Sequence, residues 1–382
     1  MAVLSMKRLT LFGLIKDLDP ILESLQRLHS VEIIDDRSTF KDDSVFSYED
    51  TDRQVGTFET NAANASDSLK ILEKYSPQKY SFVQRQFKRE NVLDKSQFQQ
   101  WVKEYDNTLA VIDNILSLEK ELKEIEAAIP SAEASLEEMR PWIKLDVPFN
   151  YEGTQDTRFF VGSMFKSSSD ALDDKSLIET IEENTPGIVG VGIKNLASTE
   201  NRVYIVVICH RRDAQNIKVT LEHLSFDFAP DSEMIPSKEF HLRENHLKEL
   251  KGRINTIKAQ LKSLSEERDR IKFFIDYSHI CKDRTGVTSS LAISKHTFIL
   301  NGWIAEKDID DLNEALSDHK ALHIELSDPA PGEKPPIRFE ISGRSVPIGG
   351  VISFSEKIHS GGRREFTPFG IHTKYYEFEE VF

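Results

Sequence analysis

Two stretches of this chain carry apolar residues at alternating spacings of three and four. The later series consists of Leu247, Leu250, Ile254, Ile257, Leu261 and Leu264. The earlier series consists of Leu118, Leu122, Ile125, Ile129, Ala132, Leu136 and Met139. This spacing is the repeat of a coiled-coil seam, so each stretch is predicted to form a long helix with one apolar face. The simplest arrangement is an antiparallel hairpin, in which one helical arm leaves a globular lobe and the other returns to it.

The return arm is predicted as a helix over 240–277, with a slip in the apolar repeat at Arg268. At 1.5 Å per residue it would be about 57 Å long. Pro130 lies inside the outgoing repeat and is expected to kink that helix. The basic residues from Lys248 to Lys272 alternate with glutamates, which favours a solvated helix face over contact with acidic lipid.

The region between the arms shows a self-contained alternation of strand and helix patterns. Strands are predicted at 158–165, 187–193, 203–209 and 226–228, and helices at 177–183 and 217–224. This β-α-β-β-α-β order is that of a ferredoxin-like lobe.

Each end of the chain carries a β-α-β pattern, over 3–34 and over 298–326. In the first, Asp19 is expected to cap the helix and Pro20 to lie in its first turn. Neither unit can bury its open sheet face alone, so the two are expected to pair into a second lobe. The polar segment 35–68 is interpreted as a loop with partial helix.

The predicted fold class is therefore α+β: a dumbbell of two ferredoxin-like α/β lobes joined by a long antiparallel coiled-coil hairpin. The predicted segments are an α+β lobe built from both chain ends at 1–60 and 285–336, an outgoing arm at 61–145, a distal lobe at 146–235, a return arm at 236–284, and an unassigned tail at 337–382.

Composition narrows the function classes. The 382 residues carry a net charge of −15, which argues against a nucleic-acid footprint because phosphate binding needs clustered Lys and Arg. No window approaches the roughly 20 apolar residues that span a bilayer. Cys209 and Cys281 are the only two cysteines and lie far apart, which gives no disulfide framework and fits a reducing compartment. No cofactor is implied.

Three motifs could indicate chemistry, and each has a structural alternative. The glycines of 187–192 do not match a phosphate-binding loop, which favours a strand entry. Cys209 and His210 with His279 and Cys281 could form a metal site, but structural zinc needs four well-spaced ligands, which favours ordinary cysteines and histidines. The acidic residues Asp17, Asp19 and Glu23 are better explained by helix capping and the helix dipole than by paired-carboxylate catalysis.

Three groups of residues stand out in order along the chain: 6–14 (MKRLTLFGL) with 21–26 (ILESLQ) and 31–33 (VEI), then 141–148 (PWIKLDVP), and 300–308 (LNGWIAEKD). These groups resemble the family of subunit I of V-type ATPases, which is called subunit a in eukaryotes. Together they cover roughly residues 1–336. After Pro335 and Pro336 the resemblance is lost.

The resemblance implies the cytoplasmic stator arm of a rotary ATPase, positioned at the membrane surface, with the lobe of 1–60 and 285–336 proximal to the membrane. Such an arm binds the peripheral stalk heterodimers and other ATPase subunits, and holds the ion-conducting membrane half against the rotor during ATP-coupled transport of protons or sodium ions. That membrane half is not among these residues, so no catalytic or ion-translocating residue is carried over, and a non-catalytic subunit is expected.

Partner binding is expected mainly on the distal lobe at 158–230 and also on the lobe containing Trp303. Trp142 and Trp303 are expected to pack inside their lobes, with a partner contact left open for both. The competing hypothesis is a regulatory protein that binds a small ligand on its ferredoxin-like lobes, and it rests on fold analogy alone.

Overall fold

The computed structural model describes residues 2–35, 37, 45–78, 91–166, 174–340, 366, 368, 369 and 376–378. Its strands are β1 (Ala2–Val3), β2 (Met6–Leu14), β3 (Val31–Ile33), β4 (Asn91–Leu93), β5 (Thr157–Phe165), β6 (Val191–Ser198), β7 (Arg202–His210), β8 (Asp227–Phe228), β9 (Ala292–Ile293), β10 (Thr297–Ala305), β11 (His323–Ser327), β12 (Phe339–Glu340) and β13 (Tyr376–Phe378). Its helices are α1 (Leu18–Leu28), α2 (Asp52–Tyr75), α3 (Lys95–Lys103), α4 (Tyr105–Met139), α5 (Asp174–Asn184), α6 (Ala214–His223), α7 (Pro236–Ser263), α8 (Arg268–Thr288) and α9 (Ile309–Ala315).

The chain divides into two compact units. The first comprises Met1–Leu118 and Gln260–Phe382, and the second comprises Glu119–Ala259. Each contains helices and an antiparallel sheet, which confirms the predicted α+β class. The finer five-segment division stays a prediction.

The main sheet of the first unit has the strand order β11-β2-β10-β3, with β9 paired to β10. β2 and β10 are antiparallel over their full lengths, from Thr297 opposite Leu14 to Ala305 opposite Met6. Successive strand residues point to opposite faces. One face, which includes Leu9, Leu11 and Leu300, packs against apolar residues of α1 and α9 and forms the core of this unit.

Helix α2 provides the partial helix expected within 35–68, but it extends further than expected and occupies 52–75. Its buried positions are Ala62, Ala65, Ser68 and Leu72, which follow helical spacing but are mostly small. A stripe of small residues gives little contrast in hydrophobicity, which is why the pattern does not reveal the full helix. Part of the interval, residues 36 and 38–44, lies outside the described residues.

The return arm is not one helix over 240–277. A 3₁₀ turn at Leu264–Glu267 separates α7 from α8, and α8 begins at Arg268, where the apolar repeat slips. The buried Arg268 guanidinium donates to the Leu72 carbonyl at 2.8 Å and also to the Ser76 carbonyl, and so caps the C-terminal end of α2. The outgoing helix α4 continues through Pro130 to Met139.

The sheet of the second unit has the strand order β6-β7-β5-β8, and all its pairings are antiparallel. The predicted β-α-β-β-α-β order is present, but the strand expected at 187–193 begins at Val191. Gly187 and Gly190 have φ values of +88° and +152°, conformations that suit glycine and precede the strand.

Two further expectations at the chain ends are corrected. Asp19 lies in the first turn of α1 rather than at its cap, because the helix begins at Leu18. The tail left unassigned at 337–382 contributes to the first unit through its described residues. β12 pairs with β1, β13 pairs with β4, and Phe366 and Phe369 are buried.

Among the described residues, no helix is both long and apolar enough to span a bilayer.

Candidate functional site

In the second unit, polar side chains connect the last part of α4 to α7. Lys258 lies 3.5 Å from Glu126, Lys251 lies 2.7 Å from Glu133, and Arg243 donates to Ser135 Oγ at 2.7 Å. Along α4 the contacting residues run from Glu126 to Ser135, while their partners on α7 run in the opposite direction, from Lys258 back to Arg243. This is the order of contacts in an antiparallel helix pair.

The predicted seam residues differ in their burial. Leu118, Leu122, Leu247, Ile257 and Leu261 are buried. Ile125, Ile129, Leu250, Ile254 and Leu264 are half-buried. On both helices the predicted seam residues are therefore shielded from solvent, fully or in part. The pairing of individual residues across the seam stays a prediction.

The ion pairs beside this seam are exposed and carry little of its stability. Arg253 Nε donates to Glu121 Oε1 at 2.7 Å, and this hydrogen bond, with the charge of the guanidinium, lowers the pKa of Glu121. Exposed pairs stabilise a fold only weakly, because water and salt screen their charges. Burial of apolar side chains such as Ile257 therefore contributes more to the stability of the helix pair.

The Pro-Trp segment lies under the sheet of the second unit. Residues Arg140–Trp142 form a 3₁₀ turn, and the buried Trp142 ring makes edge contacts with Phe149 at 5.3 Å and Tyr204 at 4.9 Å between ring centroids. This cluster covers one face of the sheet, and residues of α5 and α6 pack on the other. Both faces are occupied, so a partner of this unit has the strand edges and the outer helix surfaces to bind.

Exposed apolar side chains of the second unit occur on the edge strand β8, on α6 and at the end of β5. Phe228 on β8 and Val219 on α6 are 39% and 42% exposed, and Lys218 Nζ lies 6.0 Å from the Phe228 ring. At the end of β5, Phe165 is 63% exposed and its ring lies 4.3 Å from the Arg202 guanidinium. Apolar side chains rimmed by charge are typical of protein-binding surfaces. Sequence reasoning missed these residues, although aromatic residues at strand ends were a visible signal.

Trp303 is buried in the first unit, where it packs with Met6, Ala305 and Phe366. Its side chain therefore contributes to packing, as expected, and little of it reaches the surface. Phe12 and Ile15, at 37% and 39% exposure, are large apolar side chains that this unit presents near its sheet. Partner binding on the lobe containing Trp303 stays a prediction.

In the glycine segment 187–192, a backbone N–H group is already hydrogen-bonded to a side chain of the same chain. The Val189 amide donates to Asp213 Oδ2 at 3.1 Å, at the position where a phosphate-binding loop would offer its N–H groups to an anion. A carboxylate there repels a phosphate. The strand-entry interpretation fits this geometry better than a phosphate site.

Of the residues considered as metal ligands, Cys209, His210 and Cys281 are buried in a core or make hydrogen bonds within the chain. Cys209 belongs to the core of the second unit, and burial raises the pKa of its thiol. His210 Nδ1 accepts a hydrogen bond from the Arg212 amide at 3.3 Å. Burial likewise raises the pKa of the Cys281 thiol on α8. Within the part of the chain that the structure describes, no group of three or more His, Cys, Asp or Glu side chains is placed to hold a metal ion.

The acidic residues at the start of α1 were expected to cap the helix or to interact with its dipole. Asp17 occupies the cap position but its side chain makes no capping hydrogen bond, and Glu23 pairs with Arg27 one turn later. A cavity of about 450 Å³ lies beside Asp19 in the first unit, and Arg284 is also among its lining residues. This is the space that the competing ligand-binding hypothesis would use.

No protein-family model matches this chain, and no curated protein matches it. Among solved structures, it is similar to the crystal structure of the cytoplasmic N-terminal domain of subunit I, homolog of subunit a, of V-ATPase. The two sequences are 14% identical, the match covers 84% of this chain and 100% of that chain, and the TM-score is 0.31. A likeness of this degree carries no weight for function, which has to be argued from the chain's own residues and contacts.

Proposed function

We propose that this chain is the cytoplasmic stator arm of a rotary V-type ATPase. In this role it is a non-catalytic subunit that binds the peripheral stalk heterodimers and, at the membrane surface, holds the ion-conducting half against the rotor during proton or sodium transport. The observation that carries the proposal is the series of polar contacts that run in antiparallel order between α4 and α7, together with the burial of apolar residues on both helices. A long paired helix resists bending, which a stator requires and a small ligand-binding lobe does not.

The segments that resemble the V-type ATPase family have structural roles that support the proposal. Residues 6–14 form the central strand β2, and 300–308 include most of its partner β10. The Pro-Trp segment covers one face of the sheet in the second unit.

The arrangement proposed for the whole chain is a dumbbell of two lobes joined by a coiled-coil hairpin. A compact globule of this length should have a radius of gyration of about 21 Å. Two lobes on arms about 60 Å long should give roughly 35 Å. Small-angle X-ray scattering distinguishes the two, and a compact value with a bell-shaped distance distribution would eliminate the dumbbell.

The stalk-binding surface of the distal lobe is proposed at the β8 edge, because Phe228 offers an exposed ring to an amphipathic helix and α6, which carries the exposed Val219, places Lys218 beside that ring. Binding of a recombinant stalk heterodimer, measured by biolayer interferometry, should weaken at least tenfold in the double variant Phe228→Asp, Val219→Asp. The matched control is Val189→Asp, which places the same charge on an exposed residue before β6 and should leave binding unchanged.

Two results would count against this assignment. If the wild-type chain captures no stalk heterodimer, the stator role itself fails. If the β8 double variant keeps full affinity while Val189→Asp loses it, the stalk binds at the opposite edge of the sheet. Stabilisation by a small molecule, lost on Arg284→Ala at the cavity of the first unit, would instead favour the ligand-binding hypothesis.

A further inference from the structure

A short segment near the C-terminus of the chain packs around the edge strand of the first unit. Phe366 and Phe369 are 6% and 9% exposed, and Pro368 between them is half-buried. β3 is the last strand in the order β11-β2-β10-β3, so its outer side is a sheet edge. Unpaired strand edges present backbone groups that can bind an extended segment.

The first phenylalanine occupies a pocket on one face of the sheet. Phe366 packs with Met6, Trp303 and Ala305, and the Arg338 guanidinium lies 5.0 Å from its ring. Arg338 is held in place by an ion pair with Asp308. The pocket therefore combines apolar walls with a fixed cation over the ring, a combination that selects an aromatic side chain.

The second phenylalanine lies on the other face. Phe369 belongs to the core cluster that contains Ile304, whereas Phe366 belongs to the cluster that contains Trp303. Adjacent residues of β10 point to opposite faces, so the two phenylalanines lie on either side of the sheet.

Backbone hydrogen bonds hold each of the two phenylalanines in place. The Phe369 amide donates to the Val31 carbonyl on β3 at 2.6 Å, and the Phe366 amide donates to the Ile337 carbonyl at 3.0 Å. Pro368 restricts the backbone before Phe369, which lowers the entropy lost on binding. Side-chain pockets supply specificity here and main-chain bonds supply affinity, which is the division found in peptide recognition at sheet edges.

We propose that the β3 edge is a peptide-binding site for segments with phenylalanines at positions i and i+3, and that Phe366, Pro368 and Phe369 occupy it as an intramolecular ligand. Because the occupant belongs to the same chain, its effective concentration is high, and an external peptide binds only by displacing it. This inference is independent of the stator role, because it depends only on contacts inside the first unit.

The test uses a fluorescein-labelled peptide of residues 363–371 and the full-length chain, with binding followed by fluorescence anisotropy. The double variant Phe366→Ala, Phe369→Ala weakens the internal occupant and should bind the peptide at least tenfold more tightly than the wild-type chain does. A peptide with both phenylalanines replaced by alanine should not bind. The matched control is Phe165→Ala, an exposed phenylalanine of the second unit, which should behave as wild type.

If the double variant is folded and binds the peptide no better than wild type, the site is overturned. A second measurement covers a variant that fails to fold. Excess unlabelled peptide should accelerate deuterium uptake of the chain's own segment 366–369 in the wild-type protein, and unchanged uptake at millimolar peptide overturns the proposal. A wild-type dimer that the double variant cannot form would support the site, with a second copy's segment as the occupant.

Discussion

A substitution series along α7 tests whether the predicted seam faces the interior. Ile257 is fully buried, Ile254 is half-buried, and Leu242 is 57% exposed on the same helix. Replacing each with alanine removes a similar amount of side chain from three different surroundings. The loss of stability should follow the order of burial.

The expected magnitudes follow from these burials. Ile257→Ala gives up the transfer free energy of the removed groups and leaves a cavity, which should cost about 2–4 kcal/mol. Ile254→Ala loses only part of this contact and should cost about 1 kcal/mol. Leu242→Ala should change stability by no more than about 0.5 kcal/mol, because its side chain is mostly in water.

Urea unfolding, followed by circular dichroism, measures these differences from the midpoint at constant slope. Hydrogen exchange then locates the effect, because Ile257→Ala should raise exchange in 119–259 before it does so elsewhere. Equal losses for Ile257→Ala and Leu242→Ala would refute the reasoning. A larger loss for Leu242→Ala than for Ile257→Ala would show that the seam was assigned to the wrong helix face.

Two further predictions concern the second unit. Gly162→Ala should destabilise the chain by about 2 kcal/mol or more, because the new methyl group overlaps the Phe226 ring and overpacking is costly. The matched control is Gly192→Ala, whose new methyl group has its nearest neighbour 4.0 Å away and should change the urea midpoint little. The hydrogen bond and charge of Arg253 lower the pKa of Glu121 in the folded chain. The ion pair therefore stabilises the fold above the ordinary glutamate pKa, and this stabilisation is lost as the pH falls through the folded-state pKa of Glu121. An NMR titration should therefore show the pKa of Glu121 returning toward its ordinary range in Arg253→Gln, and an unchanged value would mean that the ion pair does not form in solution.

The parts of the fold that could be predicted are those with strong apolar contrast. β2 and β10 alternate or concentrate Leu, Ile, Phe and Trp, and the seam residues repeat every three or four positions, so each pattern has one dominant period. Such patterns depend on local chain geometry and need no knowledge of the neighbouring elements. The β-α-β-β-α-β order of the second unit followed for the same reason.

The missed features depend on contacts between residues far apart in the sequence. The stripe of Ala62, Ala65 and Ser68 becomes a packing surface only where α8 lies against α2. Phe366 and Phe369 gain their role from pockets built by residues near the opposite end of the chain and by β10. No periodicity links such segments, so they could not be assigned before the folded chain brought them together.

The sequence predicted the candidate partner surface only to the level of a lobe. The reason is that the surface depends on which faces of each sheet are covered and which edge strands are open to a partner. Both faces of the second sheet are covered, and its edge strand β6 is irregular between Asn195 and Ala197, a feature that discourages pairing with another strand. At the opposite edge, β8 is two residues long and offers little backbone, so side chains such as Phe228 must carry recognition there. In the first unit the β3 edge is taken by the chain's own segment. Partner binding through side chains at one edge and through backbone at the other would therefore differ in specificity: a helix suits the β8 edge, and an extended peptide suits the β3 edge.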